Sequence, residues 1–253
     1  PYRVAHTIGM GEPLLVIYLH GGTSKGNDNE RQMGEPGIDS IANYIKQQQM
    51  EAYFLVPQCP SDKSWGGPML SVLKALIDKY VKEGVADKNS VYIFGGSMGG
   101  TGTWSMLSAY PGMFAAAMPV AGNPSKCDAD KVASTPVYTV MGTSDQIMNV
   151  ETTADFIDEL NARDGKTKFD IEDGWTHEMT CIQSYTTQRL DWVFSQSISS
   201  SGIEKPTTEG KDIISMQYYA TDGRRLAKPT SKGLNIMRCV YEDGTVKAVK
   251  RSR

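Results

Sequence analysis

Val91-Tyr92-Ile93-Phe94-Gly95-Gly96-Ser97-Met98-Gly99-Gly100 is the stretch that decides the fold. An apolar, β-branched and aromatic run enters a Gly-rich turn with a serine at its apex. A helix-period segment, Thr101 to Tyr110, leaves it. That order is strand, sharp turn, helix. Gly95, Ser97 and Gly99 fit the pattern Gly-x-Ser-x-Gly. Glycines two before and two after the serine leave room for the chain to cross itself. The strained turn then holds the Ser97 hydroxyl out at the carboxyl end of a sheet. The competing reading, a phosphate-binding turn, lacks the Gly-Lys-Ser/Thr that would follow it and a second Gly-rich βα turn with a ribose-binding acid.

A serine hydroxyl is a poor nucleophile unless a base takes its proton. The chain has three histidines, so the base can be sought by elimination. His6 lies in a short extended segment near the amino terminus and reads as a surface or edge-strand residue. His20 follows the apolar run Leu14 to Leu19 and opens His20-Gly21-Gly22-Thr23. His177 lies in Gly174-Trp175-Thr176-His177-Glu178, after the strand-like Phe169-Asp170-Ile171. Triads built on a nucleophile elbow run Ser, acid, His along the chain, and only His177 comes after Ser97. The acid belongs after the next-to-last strand. Asp145 follows Val137–Met141 and is the choice, to accept the second imidazole N–H and hold the tautomer. Glu151, Asp173 and Asp128 are the fallback acids, and capping of the next helix is the competing role for Asp145. For the oxyanion, one donor is the Met98 backbone N–H. The other is expected from the first rim loop, at Thr23 or Gly22, with His20 ordering that loop. Trp65 and Trp175, beside the site with His20, are candidate substrate-binding residues, as an aromatic platform or as rim packing.

The order His-Gly-Gly, Gly-x-Ser-x-Gly, Gly-Thr-Ser-Asp, then His resembles the α/β-hydrolase superfamily. Within it the chain is similar to compact bacterial esterases related to feruloyl and acetylxylan esterases, to polyhydroxybutyrate depolymerases, and to the catalytic domains of prolyl oligopeptidases. Val56-Pro57-Gln58-Cys59-Pro60 with Trp65, and Tyr110-Pro111-Gly112-Met113-Phe114-Ala115-Ala116, belong to that likeness. It covers roughly residues 1–197.

The pattern outside the motifs agrees. Strand-like runs at Leu14–Leu19, Ala52–Val56, Val91–Phe94, Phe114–Val120, Val137–Met141 and Phe169–Ile171 alternate with helix-period segments. Those are Ile38–Gln49, Met69–Glu83, Thr101–Ala109, Val150–Asn161 and Thr180–Ser195. The expected class is therefore α/β: a mainly parallel central sheet with helices on both faces and no lid domain. Ser97, Asp145, His177 and His20 each follow a strand, at the rim where open α/β sheets bind ligands.

The 253 residues leave room for one such domain, 1–197, a linker, 198–211, and a small β-rich segment, 212–253. Net charge is −3 and no large basic cluster points to nucleic acid. No apolar run reaches the ~20 residues of a membrane span. Starting at Pro1, the chain leaves open whether a leader was removed. Cys59, Cys127, Cys181 and Cys239 form no C-x-x-C pair and the histidines are not spaced for zinc, so neither metal nor cofactor is expected. In an exported protein a Cys127–Cys181 bridge is the favoured pairing.

Strand character returns at Ile213–Ala220, Gly233–Tyr241 and Thr245–Val249, with turns at Asp222-Gly223 and Asp243-Gly244. Tyr219-Ala220-Thr221-Asp222-Gly223-Arg224-Arg225-Leu226, with Pro229 and Lys232-Gly233-Leu234-Asn235-Ile236, resembles the type IX sorting segments of secreted Bacteroidetes proteins. That resemblance implies export to the cell surface or medium. A packing or dimer-forming β appendage is the alternative. The segment Gly122–Thr135 is too short for a lid, and an open site suits esters carried on a bulky polymer. The expected activity is a serine carboxylesterase removing feruloyl or acetyl groups from plant polysaccharide through an acyl-enzyme. A prolyl oligopeptidase-type peptidase and a non-catalytic hydrolase-fold binding protein are the alternatives.

Overall fold

Strand β4 (Val91–Gly96) is apolar along its whole length and buried at every residue. Continuous burial of that kind belongs to a strand covered on both faces. A computed structural model describes residues 1–198, 213–220, 225–226, 234–241 and 246–252. It divides into two units, Pro1–Ile198 and Ser199–Arg253.

The first unit is built on a seven-stranded sheet ordered β1-β3-β2-β4-β5-β6-β7. Its strands are β1 (Tyr2–Thr7), β2 (Met10–Leu19), β3 (Met50–Pro57), β4, β5 (Ala116–Val120), β6 (Val137–Gly142) and β7 (Thr167–Glu172). Every pairing is parallel except that of β1 with β3. Helices α2 (Pro68–Lys82), α3 (Met98–Ala109), α4 (Ala129–Val132) and α5 (Val150–Asn161) cover one face. Helices α1 (Pro36–Gln47), α6 (His177–Gln183) and α7 (Thr187–Phe194) cover the other. The period-2 alternation of strands sorts β2 accordingly: Leu15, Ile17 and Leu19 pack into one core, Val16 and Tyr18 into the other. This is the α/β-hydrolase arrangement. Between β5 and β6 there is only the single turn α4, so no helical cap is inserted. No helix among the described residues is long and apolar enough to cross a membrane.

Two local expectations are corrected. The segment Thr180–Ser195 is not one helix but two, α6 and α7. The Ser184 hydroxyl turns back to the Thr180 carbonyl, and Thr186 caps α7 by accepting from the Arg189 N–H. The break lets the Tyr185 ring enter the core against Tyr18 and Phe94. The strand expected from Phe114 begins at Ala116. Edge strand β1 carries His6, which stacks on Tyr53 and bonds Glu51 at 2.6 Å.

The second unit is described only in its strands. β8 (Ile213–Ala220), β9 (Arg225–Leu226), β10 (Leu234–Tyr241) and β11 (Val246–Ser252) form an antiparallel sheet ordered β11-β10-β8-β9. The linker from Ser199, both Asp-Gly turns, and Arg224, Pro229, Lys232 and Gly233 of the sorting-like stretch lie outside the described residues.

Gly99 shows how tightly the elbow is built. A methyl group there would sit 1.8 Å from the Leu19 carbonyl oxygen, which belongs to the neighbouring strand and cannot yield. Gly99→Ala is expected to cost at least about 2–3 kcal/mol. Urea unfolding of that variant beside wild type measures it, and an unchanged midpoint would contradict the close approach.

Candidate active site

Ser97 stands between β4 and α3 with φ 58° and ψ −117°, a conformation that side chains rarely adopt. Such a residue costs on the order of 1–3 kcal/mol and persists only where its surroundings hold it. Here the Ser97 N–H donates to the Val120 carbonyl and its carbonyl accepts from the Thr101 N–H. The crossing that the turn requires is made by Gly95, where a Cβ would lie 2.4 Å from the Gly99 carbonyl oxygen.

Three side chains from three separate loops meet here. Ser97 Oγ lies 2.8 Å from His177 Nε2, and His177 Nδ1 lies 2.7 Å from Asp145 Oδ2. The Asp145 carboxylate is fully buried and the His177 ring is 15% exposed. With Nδ1–H donating to Asp145, Nε2 is left to accept the serine proton. The other Asp145 oxygen accepts from the N–H groups of Ile147 and Met148, so the carboxylate is held from both sides. The next helix is capped by Asn149 instead. The fallback acids are engaged elsewhere: Asp173 with Thr143, Asp128 at the start of α4, and Glu151 in the first turn of α5.

Tertiary contacts lace the loops carrying Asp145 and His177 together. The Ser144 N–H donates to the Trp175 carbonyl, and the Thr143 hydroxyl bridges Asp173 and the Gly174 N–H. Behind them the buried Arg189 guanidinium bonds Asp170 at 2.8 Å and also Glu172, both on β7, and the Ser184 carbonyl. It lies 5.9 Å from the centre of the Trp175 ring. Trp175 is half-buried in this packing.

The first rim loop is clamped by His20. This ring is fully buried, its Nδ1–H donates to the Gly21 carbonyl, and its Nε2 accepts from the Cys59 N–H. Burial pulls its pKa below the ordinary histidine value and keeps it neutral. His20 is therefore a loop-ordering residue and not a substrate contact. Trp65 is corrected likewise. It is 2% exposed, donates from Nε1 to the His20 carbonyl and packs edge-on to that ring. The missing side chain of Gly102 makes its room, since a Cβ there would meet the Trp65 side chain at 2.3 Å. It is a wedge under the loop and presents no platform to solvent.

Met98 opens α3, and Gly22 and Thr23 open a short 3-10 turn, Gly22–Ser24. Their N–H groups have no acceptor among the described residues. Such first-turn donors are what a developing oxyanion requires. The Gly21 backbone passes beside the nucleophile, where a Cβ would be 3.7 Å from Ser97 Cβ.

One residue of this site escaped the sequence reading. Glu35 Oε1 accepts from the Gly21 N–H at 3.0 Å and from the Ser24 hydroxyl at 2.5 Å. It braces both ends of the turn that carries Gly22 and Thr23. Its only mark in the sequence is a carboxylate immediately before Pro36 at a helix start, which reads as an ordinary dipole-compatible acid. Glu35→Ala is expected to lower kcat about 10- to 100-fold with little change in KM, because sub-ångström misplacement of the donors weakens transition-state binding. Glu35→Gln keeps an acceptor and is expected to restore most of it. Steady-state kinetics of both variants decide; equal loss in the two would assign the effect to charge instead.

The favoured Cys127–Cys181 bridge is not formed. Cys59, Cys127 and Cys181 are free thiols, with Cys127 packed into the core on one face of the sheet and Cys181 into the core on the other. The sheet separates them. Burial, with Glu35 and Asp145 nearby, pushes the Cys181 thiol up to about 12. The Cys239 side chain lies outside the described residues.

Comparison with known proteins agrees with this geometry. The sequence model of the dienelactone hydrolase family matches residues 46–189. None of the curated proteins compared with the chain matches it. Among solved structures, a thermostable esterase superposes with a TM-score of 0.71 at 29% identity over 78% of this chain. That match spans 59% of the esterase's own length. Esterase PE8 gives a TM-score of 0.57 at 15% identity, covering 76% of this chain and 97% of its own. A putative dienelactone hydrolase from Klebsiella pneumoniae subsp. pneumoniae MGH 78578 gives 0.55 at 15% identity, covering 78% and 99%. At 15% identity the likeness is one of fold.

Proposed function

This chain belongs to the dienelactone hydrolase family of carboxylic ester hydrolases, and from that premise we propose that it is a serine esterase removing acetyl or feruloyl groups from plant polysaccharide. The observation that carries the serine mechanism is the continuous hydrogen-bonded line from Ser97 through His177 to Asp145, at 2.8 and 2.7 Å.

In this reading Ser97 Oγ attacks the ester carbonyl carbon as its proton passes to His177 Nε2. Asp145 stabilises the imidazolium that forms. The carbonyl oxygen becomes an oxyanion held by the Met98 N–H and by Gly22 or Thr23, each such donor being worth roughly 3 kcal/mol. His177 then gives its proton to the departing sugar oxygen as the C–O bond breaks. Water, deprotonated by the same histidine, attacks the acyl-enzyme and releases the acid with Ser97 restored.

The polymer-borne substrate is supported by the lack of an inserted cap within the first unit, where only a four-residue helix stands between β5 and β6. An ester projecting from a wide chain can enter such a site without a lid opening. Export to the surface or medium, implied by the tail's resemblance to sorting segments, fits the same substrate.

The test is a hydrolysis panel of p-nitrophenyl acetate, methyl ferulate, acetylated xylan, acetylated polygalacturonate and a Pro-p-nitroanilide peptide. Release from methyl ferulate or either acetylated polymer with a silent peptide is the expected result. Turnover of p-nitrophenyl acetate with none of methyl ferulate, acetylated xylan and acetylated polygalacturonate would overturn the polysaccharide reading. A peptide rate above the ester rates would point to a peptidase.

A further inference from the structure

We propose that a groove between the loop after β3, the start of α2 and the flank of α3 binds carboxylate-bearing sugar residues, so that the esters this enzyme takes sit on a uronate-containing polysaccharide; this rests on the polysaccharide reading above. The groove is an open depression of about 770 Å³ lined by Asp62, Lys63, Ser64, Met69, Ser105 and Lys126. Its walls are the loop that follows β3 and the loop that follows β5. Both leave the carboxyl edge of the sheet, as Ser97 does. Ser105 lies eight residues beyond Ser97 on α3, which at the helical rise is about 12 Å. That distance is within the span of a few sugar residues of a polymer anchored at Ser97 by its ester.

The charge in this groove has the opposite sign to that of the whole chain, which is −3. Lys126 is exposed and makes no ion pair among the described residues. Lys63 pairs with Asp62 at 2.8 Å, but both are exposed, and such a pair exchanges partners readily. Lys25 reaches the same loop, with Nζ 3.2 Å from the Lys63 carbonyl and no carboxylate partner. Two ammonium groups thus line the groove against one carboxylate, and a third, that of Lys25, stands at the same loop. Met69 and Leu70 offer an apolar floor for the face of a sugar ring. The Ser105 hydroxyl donates to the Thr101 carbonyl, which leaves its oxygen free to accept from a sugar hydroxyl. A neutral xylan uses the floor and the hydroxyls but leaves the lysines idle; a polyuronate uses all of them.

Two readouts separate this proposal from the reading beneath it. The first is binding of full-length Ser97→Ala protein to unesterified polygalacturonate and to neutral xylan, by affinity electrophoresis. At low salt we expect about tenfold tighter binding to polygalacturonate, lost in a Lys63→Glu/Lys126→Glu double variant. The preference should also fade toward about 0.15 M salt, where the screening length falls to about 8 Å. The second is the KM of the active enzyme on acetylated polygalacturonate against acetylated xylan, expected to differ in the same sense. Hydrolysis of p-nitrophenyl acetate should be unchanged in the double variant. Equal binding of the two polymers, a preference that survives the double variant, or equal retention by a nucleic acid would overturn the groove. Failure to cleave either polymer, with p-nitrophenyl acetate still turned over, would sink the polysaccharide reading instead, and the binding arm would still decide the groove.

Discussion

Ser97→Ala is expected to lower kcat on p-nitrophenyl acetate by about five to six orders of magnitude while the protein stays folded. The loss is that large because the alanine has no atom to form the acyl-enzyme, and His177 and Asp145 have nothing left to activate. A residual acceleration of about 10³-fold over water is expected to remain, from the Met98 and Gly22–Thr23 donors and from substrate binding. The fold should tolerate the change. Ser97 makes its structural hydrogen bonds through its backbone, and alanine meets the same φ of 58° with the same Cβ. The measurement is kcat for both proteins with thermal unfolding recorded on the same preparations. Covalent labelling by a fluorophosphonate should vanish in the variant. Activity within a hundredfold of wild type in a folded variant would remove Ser97 from the mechanism.

The second large effect is expected from Asp145→Asn, at about 10⁴-fold in kcat. This site gives the number a specific cause. One Asp145 oxygen accepts from the Ile147 and Met148 N–H groups, and the other accepts from His177. An asparagine in the same place keeps its carbonyl oxygen on the two amides and turns its NH₂ toward His177 Nδ1. Nδ1 must then accept, so the proton moves to Nε2. That tautomer cannot take a proton from Ser97. Because the loop bonds survive, stability should fall by less than about 1.5 kcal/mol, the worth of one hydrogen bond. Steady-state kinetics with urea unfolding separate the two effects. A fall in kcat below tenfold would mean that another acid orients His177.

Much of this is legible in the sequence. The alternation of apolar runs with helix-period segments identifies the layered α/β fold, because burial on both faces leaves that pattern in the chain. Ser97 is marked by the glycines its turn requires, and His177 by elimination among three histidines. Asp145 needed more than local pattern, since an acid after a strand reads equally well as a helix cap. The structure shows two of its oxygens' tasks and assigns the cap to Asn149. Of the two readings of Trp65, platform or packing, the structure decides for packing; both stood open in the sequence because a tryptophan in a long rim loop has no local mark of burial. What buries it is the space over Gly102 and the carbonyl of His20, both remote in sequence. Glu35 was missed for the same kind of reason, as its partners at Gly21 and Ser24 come close only when α1 docks under the first rim loop.

By itself, then, the sequence determined which elements form, in what order, and which residue types carry the chemistry. Periodicity, turn glycines and chain order are local or one-dimensional signals. The tertiary structure decided which side chains face solvent and which hold others in place. His20 and Trp65 became a buried clamp, Glu35 a brace, and the two cysteines stayed on opposite faces of the sheet. Those roles follow from packing and hydrogen-bond satisfaction between segments far apart in the chain, and no residue's own neighbourhood encodes them.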